Sequence, residues 1–278
     1  MKTLKYLSAI LCFLCTTAMF AHGDLHARIL KLSKQIEKNP DSAELYFHRG
    51  KLHYQHETYN KSLSDLKKAE KLGLNGIEVN FQFAQTYLKL GQHTKSISRV
   101  DEILKIEERH VRALKIKAQN QFLQNKFNIA ALTFEQVIDY SSGTIPENYI
   151  DAAIAWESTE TDLGLKNAEI ILRRGIAELG NIVSLYIHLE TLFVRQNRFD
   201  EAITVREEII SFIPRKEASH FRLYELHTVN GNSEEAKRNL DLSKQRIQDL
   251  PVRLKSTAYM KDLIQKITSI EKELQQNN

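Results

Sequence analysis

Residues 197–214 read NRFDEAITVREEIISFIP, and this stretch decides the fold. Asn197 marks the end of one helix, because Asn tolerates the left-handed backbone conformation that commonly ends a helix. Ala202 then places a small residue early in a second helix, where two helix backbones can approach closely. Pro214 closes the segment. The stretch therefore predicts the turn and the second helix of an antiparallel helix pair.

The same pattern recurs along the chain at a spacing of 34 residues. Residues that favour a turn recur at the fifteenth place of a unit, namely Gly91, Asn125, Asn197 and Gly231. The fourth unit keeps the register only if four residues are inserted between its helices or at the end of its first helix. The six predicted units are 43–76, 77–110, 111–144, 145–182, 183–216 and 217–250.

Small residues fix where the two helices of a unit meet. At the eighth place they are Gly50, Ala84, Ala118 and Ala152. At the twentieth place they are Ser62, Ser96, Ala130, Ala168, Ala202 and Ala236. The last two units depart from this rule, since Glu190 and Tyr224 occupy the eighth place and Arg206 a normally apolar twenty-fourth place. We expect looser or shifted packing there.

Six units in register resemble the tetratricopeptide repeat (TPR) family over residues 43–250, which is most of the chain. The fifth unit carries the best match, and the first follows with Tyr46, Gly50, Tyr59 and Ala69. The resemblance implies an all-α solenoid, a right-handed superhelix of antiparallel helix pairs with a concave groove. It also implies that the protein holds other proteins.

Both ends of the solenoid are predicted to carry capping helices, because a terminal repeat cannot bury its outer apolar face alone. Residues 24–40 place Leu25, Ile29, Leu32 and Ile36 on one helical face. Residues 251–278 form a C-terminal capping helix and tail. Its predicted apolar residues are Leu254, Tyr259, Leu263, Ile267, Ile270 and Leu274.

Residues 1–21 have the layout of a secretory signal peptide. Lys2 and Lys5 precede an uncharged stretch, and small residues follow, so cleavage is expected after Ala21 or Gly23. An uncleaved anchor is the alternative, although the apolar stretch is short for a membrane span. Cleavage would give a periplasmic or secreted protein without a stable membrane anchor. It would also remove Cys12 and Cys15, the only cysteines.

Composition and motifs argue against an enzyme and against a bound cofactor. The chain has 39 basic and 35 acidic residues, too even a balance to indicate a nucleic-acid protein. It lacks a Gly-x-Ser-x-Gly turn and a phosphate-binding Gly-rich loop. His53 and His56 share a helical face, but no third ligand is visible in the sequence, so a structural role is expected and no metal site is assigned.

The TPR resemblance implies a partner-binding groove lined by the first helix of each unit. The expected groove residues are His48, Lys51, Tyr54, Gln55, Phe81, Gln82, Gln85, Lys89, Lys115, Gln119, Phe122, His188, Arg195 and Arg222. The aromatic residues would anchor a peptide, and the cations would favour a somewhat acidic one. The competing interpretation is an ordinary polar surface.

Two other functions are weighed against a protein scaffold. If cleavage follows Ala21, the N-terminal amine, His22 and His26 present a copper-binding arrangement, since amine and neutral imidazole suit that metal. An RNA-binding helical repeat is the least favoured alternative, because the export pattern and the near-neutral charge oppose it.

Overall fold

The computed structural model describes residues 24–141 and 145–276. The predicted signal peptide, His22 and both cysteines lie outside the described residues. The described residues are all-α, with helices and no strand. The chain divides into two compact parts, 1–142 and 143–278, here called the N-terminal half and the C-terminal half.

Seven helices make up the described N-terminal half. They are α1 (24–38), α2 (Ala43–Gln55), α3 (Tyr59–Lys71), α4 (Ile77–Lys89), α5 (His93–Ile106), α6 (Val111–Leu123) and α7 (Phe127–Tyr140). Eight make up the described C-terminal half. They are α8 (Pro146–Glu157), α9 (Asp162–Leu179), α10 (Val183–Arg195), α11 (Phe199–Phe212), α12 (Glu217–Val229), α13 (Ser233–Gln248), α14 (Val252–Lys255) and α15 (Ala258–Gln276).

Helices adjacent in sequence pack as pairs: α2 with α3, α4 with α5 and α6 with α7 in one half, then α8 with α9, α10 with α11 and α12 with α13 in the other. Five of the six pairs begin at the first residue of a predicted unit, and α8 begins one residue later. The chain is therefore built of repeated antiparallel helix pairs, each of which contacts the next pair within its half.

Every pair turns through a residue in the left-handed backbone region. The residues and φ angles are Glu57 59°, Gly91 67°, Asn125 59°, Glu160 53°, Asn197 57° and Gly231 80°. Gly and Asn adopt this conformation readily, whereas Glu pays a steric cost for it. Glu57 and Glu160 thus lie at the two turns that the residue types in the sequence do not predict.

The structure locates the insertion of the fourth unit around the connection between α8 and α9. The left-handed residue, Glu160, comes one place later than in the other units. Ala168 lies six residues after the first residue of α9, whereas Ala202 lies three after that of α11. Most of the insertion therefore extends α9 at its N-terminus, where the Thr161 hydroxyl accepts a hydrogen bond from the Gly164 amide at 3.0 Å.

Small residues let the paired helices approach as expected. A Cβ added to Gly50 would lie 3.3 Å from Cγ of Leu66. In the second pair, the buried Ser96 hydroxyl donates to the carbonyl oxygen of Ala84 at 2.7 Å. Apolar side chains fill the space around these contacts, and fully buried examples are Leu66, Ala69, Phe83, Val100 and Ile103.

The fifth pair replaces an apolar contact by buried charges rather than by looser packing. Glu190 is only 2% exposed. Its carboxylate accepts from Nε of Arg206 at 2.5 Å and from Nε of Arg222 at 2.8 Å. Two of the three residues that departed from the small and apolar pattern, Glu190 and Arg206, therefore bond to each other.

Terminal helices cover the outer faces of the repeats. In α1, Ile29 and Ile36 are buried. In α15, Met260, Leu263 and Ile267 are buried in one cluster with residues of α12 and α13, namely Phe221, Leu240 and Ile247. The single C-terminal helix that the sequence predicted is wrong in detail, because the helix is interrupted between α14 and α15. In α15, Met260 is buried, whereas Tyr259 and Leu274 are exposed.

Candidate functional site

The first helices of the N-terminal half lie side by side, α2 against α4 and α4 against α6. Their open side is here called the first-helix face. It consists of the exposed residues His48, Gln55 and Lys89 and the partly exposed residues Lys51, Tyr54, Gln85, Lys115, Gln119 and Phe122. Nine of the predicted groove residues are thus at least partly accessible on helices that pack against one another.

Two predicted groove residues are buried instead. Phe81 is 3% exposed and packs with Ala84, Val100 and Ala113 in the core. The guanidinium of Arg112 covers its ring, 4.0 Å from the ring centroid. Phe81 is therefore part of the core and is not an open anchor. Phe47 holds the same place in the first pair and is buried too, so the place itself faces inward when an aromatic residue occupies it.

Gln82 is buried beside Phe81, with 4% of its surface exposed. Its amide nitrogen Nε2 has no hydrogen-bond partner among the described residues. An unpaired buried amide costs free energy, roughly 1–3 kcal/mol. The TPR resemblance placed Gln82 on the open face because Gln82 holds the sixth place of its unit, and its burial overrides that expectation.

Two aromatic residues do remain accessible on the first-helix face. The ring centroids of Tyr54 and Tyr59 are 5.5 Å apart, and those of Phe122 and Phe127 are 5.2 Å apart. Tyr59 and Phe127 each open the second helix of their own pair, so both contacts join the two helices across the turn. Burial raises the pKa of Tyr54, which stays a neutral phenol. Each of these rings thus packs against a ring of the second helix in its own pair.

The charges of the first-helix face are mostly positive. Lys51 forms an ion pair with Glu78 at 3.0 Å, and both side chains are more than a third exposed. Such an exposed pair contributes at most about 1 kcal/mol, so a stronger acidic partner can displace Glu78. Lys89 is exposed and is the last residue of α4.

Helix α1 extends the first-helix face, which the sequence analysis did not foresee. Residues of α1 and α2 line a cleft of about 490 Å³ between the two helices. Its lining consists of Arg28, Lys31, Leu32 and Gln35 from α1 and His48, Lys51, Leu52 and Gln55 from α2. The signal was present in the sequence, since residues 28–35 and 48–55 both follow the pattern basic-x-x-Lys-Leu-x-x-Gln.

Two of the three predicted groove residues of the C-terminal half, Arg222 and Arg195, have structural partners. Arg222 bonds to Glu190 and Glu225 at 2.8 and 2.9 Å. Arg195 bonds to Glu157 at 2.8 Å. The pKa of Glu157 is raised because burial of its carboxyl outweighs the attraction of Arg195. Burial, reinforced by Arg195, lowers the pKa of half-buried His188.

No metal cluster is found among residues 24–141 and 145–276, where no group of three or more His, Cys, Asp or Glu side chains is placed to hold an ion. The rings of His26 and His56 lie 6.5 Å apart. The copper alternative depends on His22, which lies outside the described residues, so it stays a prediction. In the described part of the chain, every helix is too short or too polar to cross a bilayer.

Comparison with known proteins agrees with the helix-pair architecture. No protein-family model matches the sequence. The chain is 32% identical over 110 residues to DnaJ homolog subfamily C member 3 of Homo sapiens and 31% identical over 110 residues to that of Mus musculus. Each alignment covers 38% of this chain and 22% of the relative. The matched segment thus spans about a fifth of these relatives.

Solved structures show the fold more completely. A tetratricopeptide repeat protein from Parabacteroides merdae superposes with a TM-score of 0.55 at 15% identity, covering 88% of this chain and 93% of that one. The C-terminal part of a TPR repeat-containing protein from Cytophaga hutchinsonii superposes with a TM-score of 0.66 at 14% identity, covering 82% and 95%. The chain therefore has the fold of a TPR solenoid.

Proposed function

We propose that this protein is a non-catalytic scaffold that binds a segment of another protein on its first-helix face. The TPR fold is consistent with a scaffold for protein–protein interaction. The observation that carries the proposal is the first-helix face itself, where aromatic, amide and cationic side chains stand together on three packed helices. This mixture suits an extended or helical peptide with acidic residues.

The binding mechanism follows from the ring contacts on the face. Tyr54 and Phe122 are already held by their ring contacts with Tyr59 and Phe127, so little side-chain entropy is lost on binding. A few anchoring residues, often Tyr or Trp, supply most of the binding free energy at protein interfaces. Lysines around them would raise the association rate for an acidic partner and favour it over basic ones.

We further propose that the scaffold works outside the cytoplasm, in the periplasm or as a secreted protein. The charged start, apolar stretch and small residues of positions 1–23 support this location. Comparison of the N-terminal residue of the protein purified from its native host with that of the encoded chain tests it. Processing after Ala21 or Gly23 is expected, and an intact Met1 would contradict it.

Partner capture with charge-reversal variants tests the scaffold. The full processed chain is immobilised beside a triple variant, K51E/K89E/K115E, and a matched control, K67E/K71E/K126E. The control changes three lysines that are exposed and lie outside the first-helix face. A partner retained by the native chain and the control but lost by the triple variant supports the proposal. Equal retention by all three would place the interface elsewhere.

Anchoring by aromatic residues is tested on the partner so identified. Y54A and F122A should each weaken its affinity about tenfold or more, because hot-spot aromatic residues contribute roughly 2 kcal/mol or more at interfaces. Fluorescence anisotropy of the labelled partner gives the dissociation constants. The exposed Tyr259 on α15 provides a control, since Y259A should leave the affinity unchanged.

A further inference from the structure

The cleft between α1 and α2 is lined by two matching stripes. In each helix the lining residues fall at positions i, i+3, i+4 and i+7, the spacing of one helical face. Each stripe supplies, in order, a basic residue, a lysine, a leucine and a glutamine. The two walls therefore offer the same chemistry to whatever lies between them.

The charged residues that line the cleft are all basic. Arg28, Lys31 and Lys51 are permanent cations, His48 adds an imidazole, and none of the eight described lining residues carries a carboxylate. Arg28 and Lys31 are exposed and form no ion pair with any residue that the structure describes. Only Lys51 is paired, through its contact with Glu78 on α4. The cleft thus carries positive charge that the described residues leave largely uncompensated.

Its floor is apolar and its far ends carry amides. Leu52 is 6% exposed and Leu32 is partly buried. Gln35 and Gln55 are exposed, so each amide is free to donate to and accept from a peptide backbone. A volume of about 490 Å³ is in the range of small-ligand pockets and accommodates a short piece of chain with an apolar side chain.

We infer that α1 is part of the binding surface and that this cleft binds an acidic segment of the partner protein. Carboxylates of the segment pair with Arg28, Lys31 and Lys51 around an apolar side chain that packs on Leu32 and Leu52. The inference rests on the proposed function, and it names the chemistry of the partner and the end of the face where that partner docks.

A protein segment fits the lining better than a nucleic acid does. Proteins that bind single-stranded RNA stack its bases on aromatic rings. None of the eight lining residues is a Phe, Tyr or Trp. Paired leucines and amides instead match an aliphatic side chain and a peptide backbone.

Fluorescence anisotropy with the full processed chain tests the inference. The probe is a fluorescein-labelled Glu-Glu-Leu-Glu-Glu peptide, and its Gln-Gln-Leu-Gln-Gln counterpart measures the dependence on charge. The variant R28E/K31E removes two cations from the cleft. The variant K34E/K38E makes the same change of net charge at two exposed lysines of α1 that lie outside the lining. Circular dichroism verifies that both variants remain helical.

We expect saturable binding of the acidic peptide, about tenfold weaker in R28E/K31E and within about twofold of the native value in K34E/K38E. Added salt should weaken binding, since these charges are exposed. The inference is overturned if the Glu and Gln peptides bind alike, if neither binds, or if both double variants lose affinity equally. Displacement of the peptide by a single-stranded uridine octanucleotide at lower concentration than by unlabelled peptide would also overturn it.

A second pair of variants separates this inference from the proposed function. K89E/K115E changes the first-helix face but leaves the cleft lining intact. If the captured partner is lost by K89E/K115E and retained by R28E/K31E, the scaffold proposal stands and the cleft inference fails. If both variants lose the partner, the scaffold proposal and the cleft inference both stand. Loss only in R28E/K31E would confine the interface to the cleft.

Discussion

Glu190 offers the sharpest test of how the C-terminal half is held together. Glu190 is 2% exposed, and its carboxylate bonds to Arg206 and Arg222. Glu190→Ala would leave Arg206, whose side chain is only 12% exposed, without its counter-ion. Removing one partner of a buried ion pair typically costs 3–5 kcal/mol. We therefore expect E190A to lower the free energy of unfolding by about 3–4 kcal/mol, with the remaining Arg222–Glu225 pair limiting the loss.

A double replacement should reverse most of that loss. In the second pair the equivalent places hold Ala84 and Val100, both fully buried. E190A/R206V rebuilds this apolar contact, and replacing a buried ion pair by apolar residues is often neutral or stabilising. We expect E190A/R206V to unfold within about 1 kcal/mol of the native chain. The coupling energy between the two substitutions is then at least about 2 kcal/mol.

Urea titration followed by tryptophan fluorescence measures these free energies. Trp156 is the only tryptophan and belongs to the C-terminal half, so its signal reports the half that contains Glu190. Urea is preferred to guanidinium because guanidinium salts screen charges. The reasoning is refuted if E190A costs less than about 1 kcal/mol, or if the double variant is no more stable than E190A.

Three further substitutions test local features. Glu57 has a left-handed conformation (φ 59°) that Gly adopts without the steric cost. E57G should therefore raise the free energy of unfolding by about 0.5–1 kcal/mol, measured by circular dichroism melts. A lower melting temperature would contradict this. G175A places a Cβ 2.9 Å from Cγ of Tyr149 and should cost about 1–3 kcal/mol, read from the single tryptophan; an unchanged urea midpoint would contradict it. Burial lowers the pKa of His53, so the unfolded chain binds its proton more tightly and stability falls as pH drops below about 6.5. H53N should lose less stability than the native chain between pH 7.5 and 5.5, and parallel curves would exclude this role.

Periodicity predicted the architecture because helix pairing constrains specific places in each unit. Gly50 and Ala84 must be small where the backbones meet, and the structure places both there. The left-handed turns at Gly91 and Asn125 were predicted from the same 34-residue repeat. Such constraints act between residues of one pair, so the sequence of that pair displays them.

Contacts that do not follow from the repeat pattern were harder to predict from the sequence. Phe81 was expected on the open face, but Arg112 and the core close over it. Glu190 and Arg206 suggested poor packing when each was compared with the repeat pattern alone, because the partnership between them becomes visible only in three dimensions. The cleft was missed because α1 lies outside the repeat count, although its residues 28–35 match residues 48–55.

The pairing of helices that are neighbours in sequence has a consequence for how the chain folds and yields to force. Within each half, the main contacts join a helix to the next one or two along the chain. Chains with such local contacts fold rapidly, because little loop-closure entropy opposes them. A pulling force applied to the ends of either half should therefore release one helix pair after another, and force spectroscopy should record a series of small extensions rather than a single rupture.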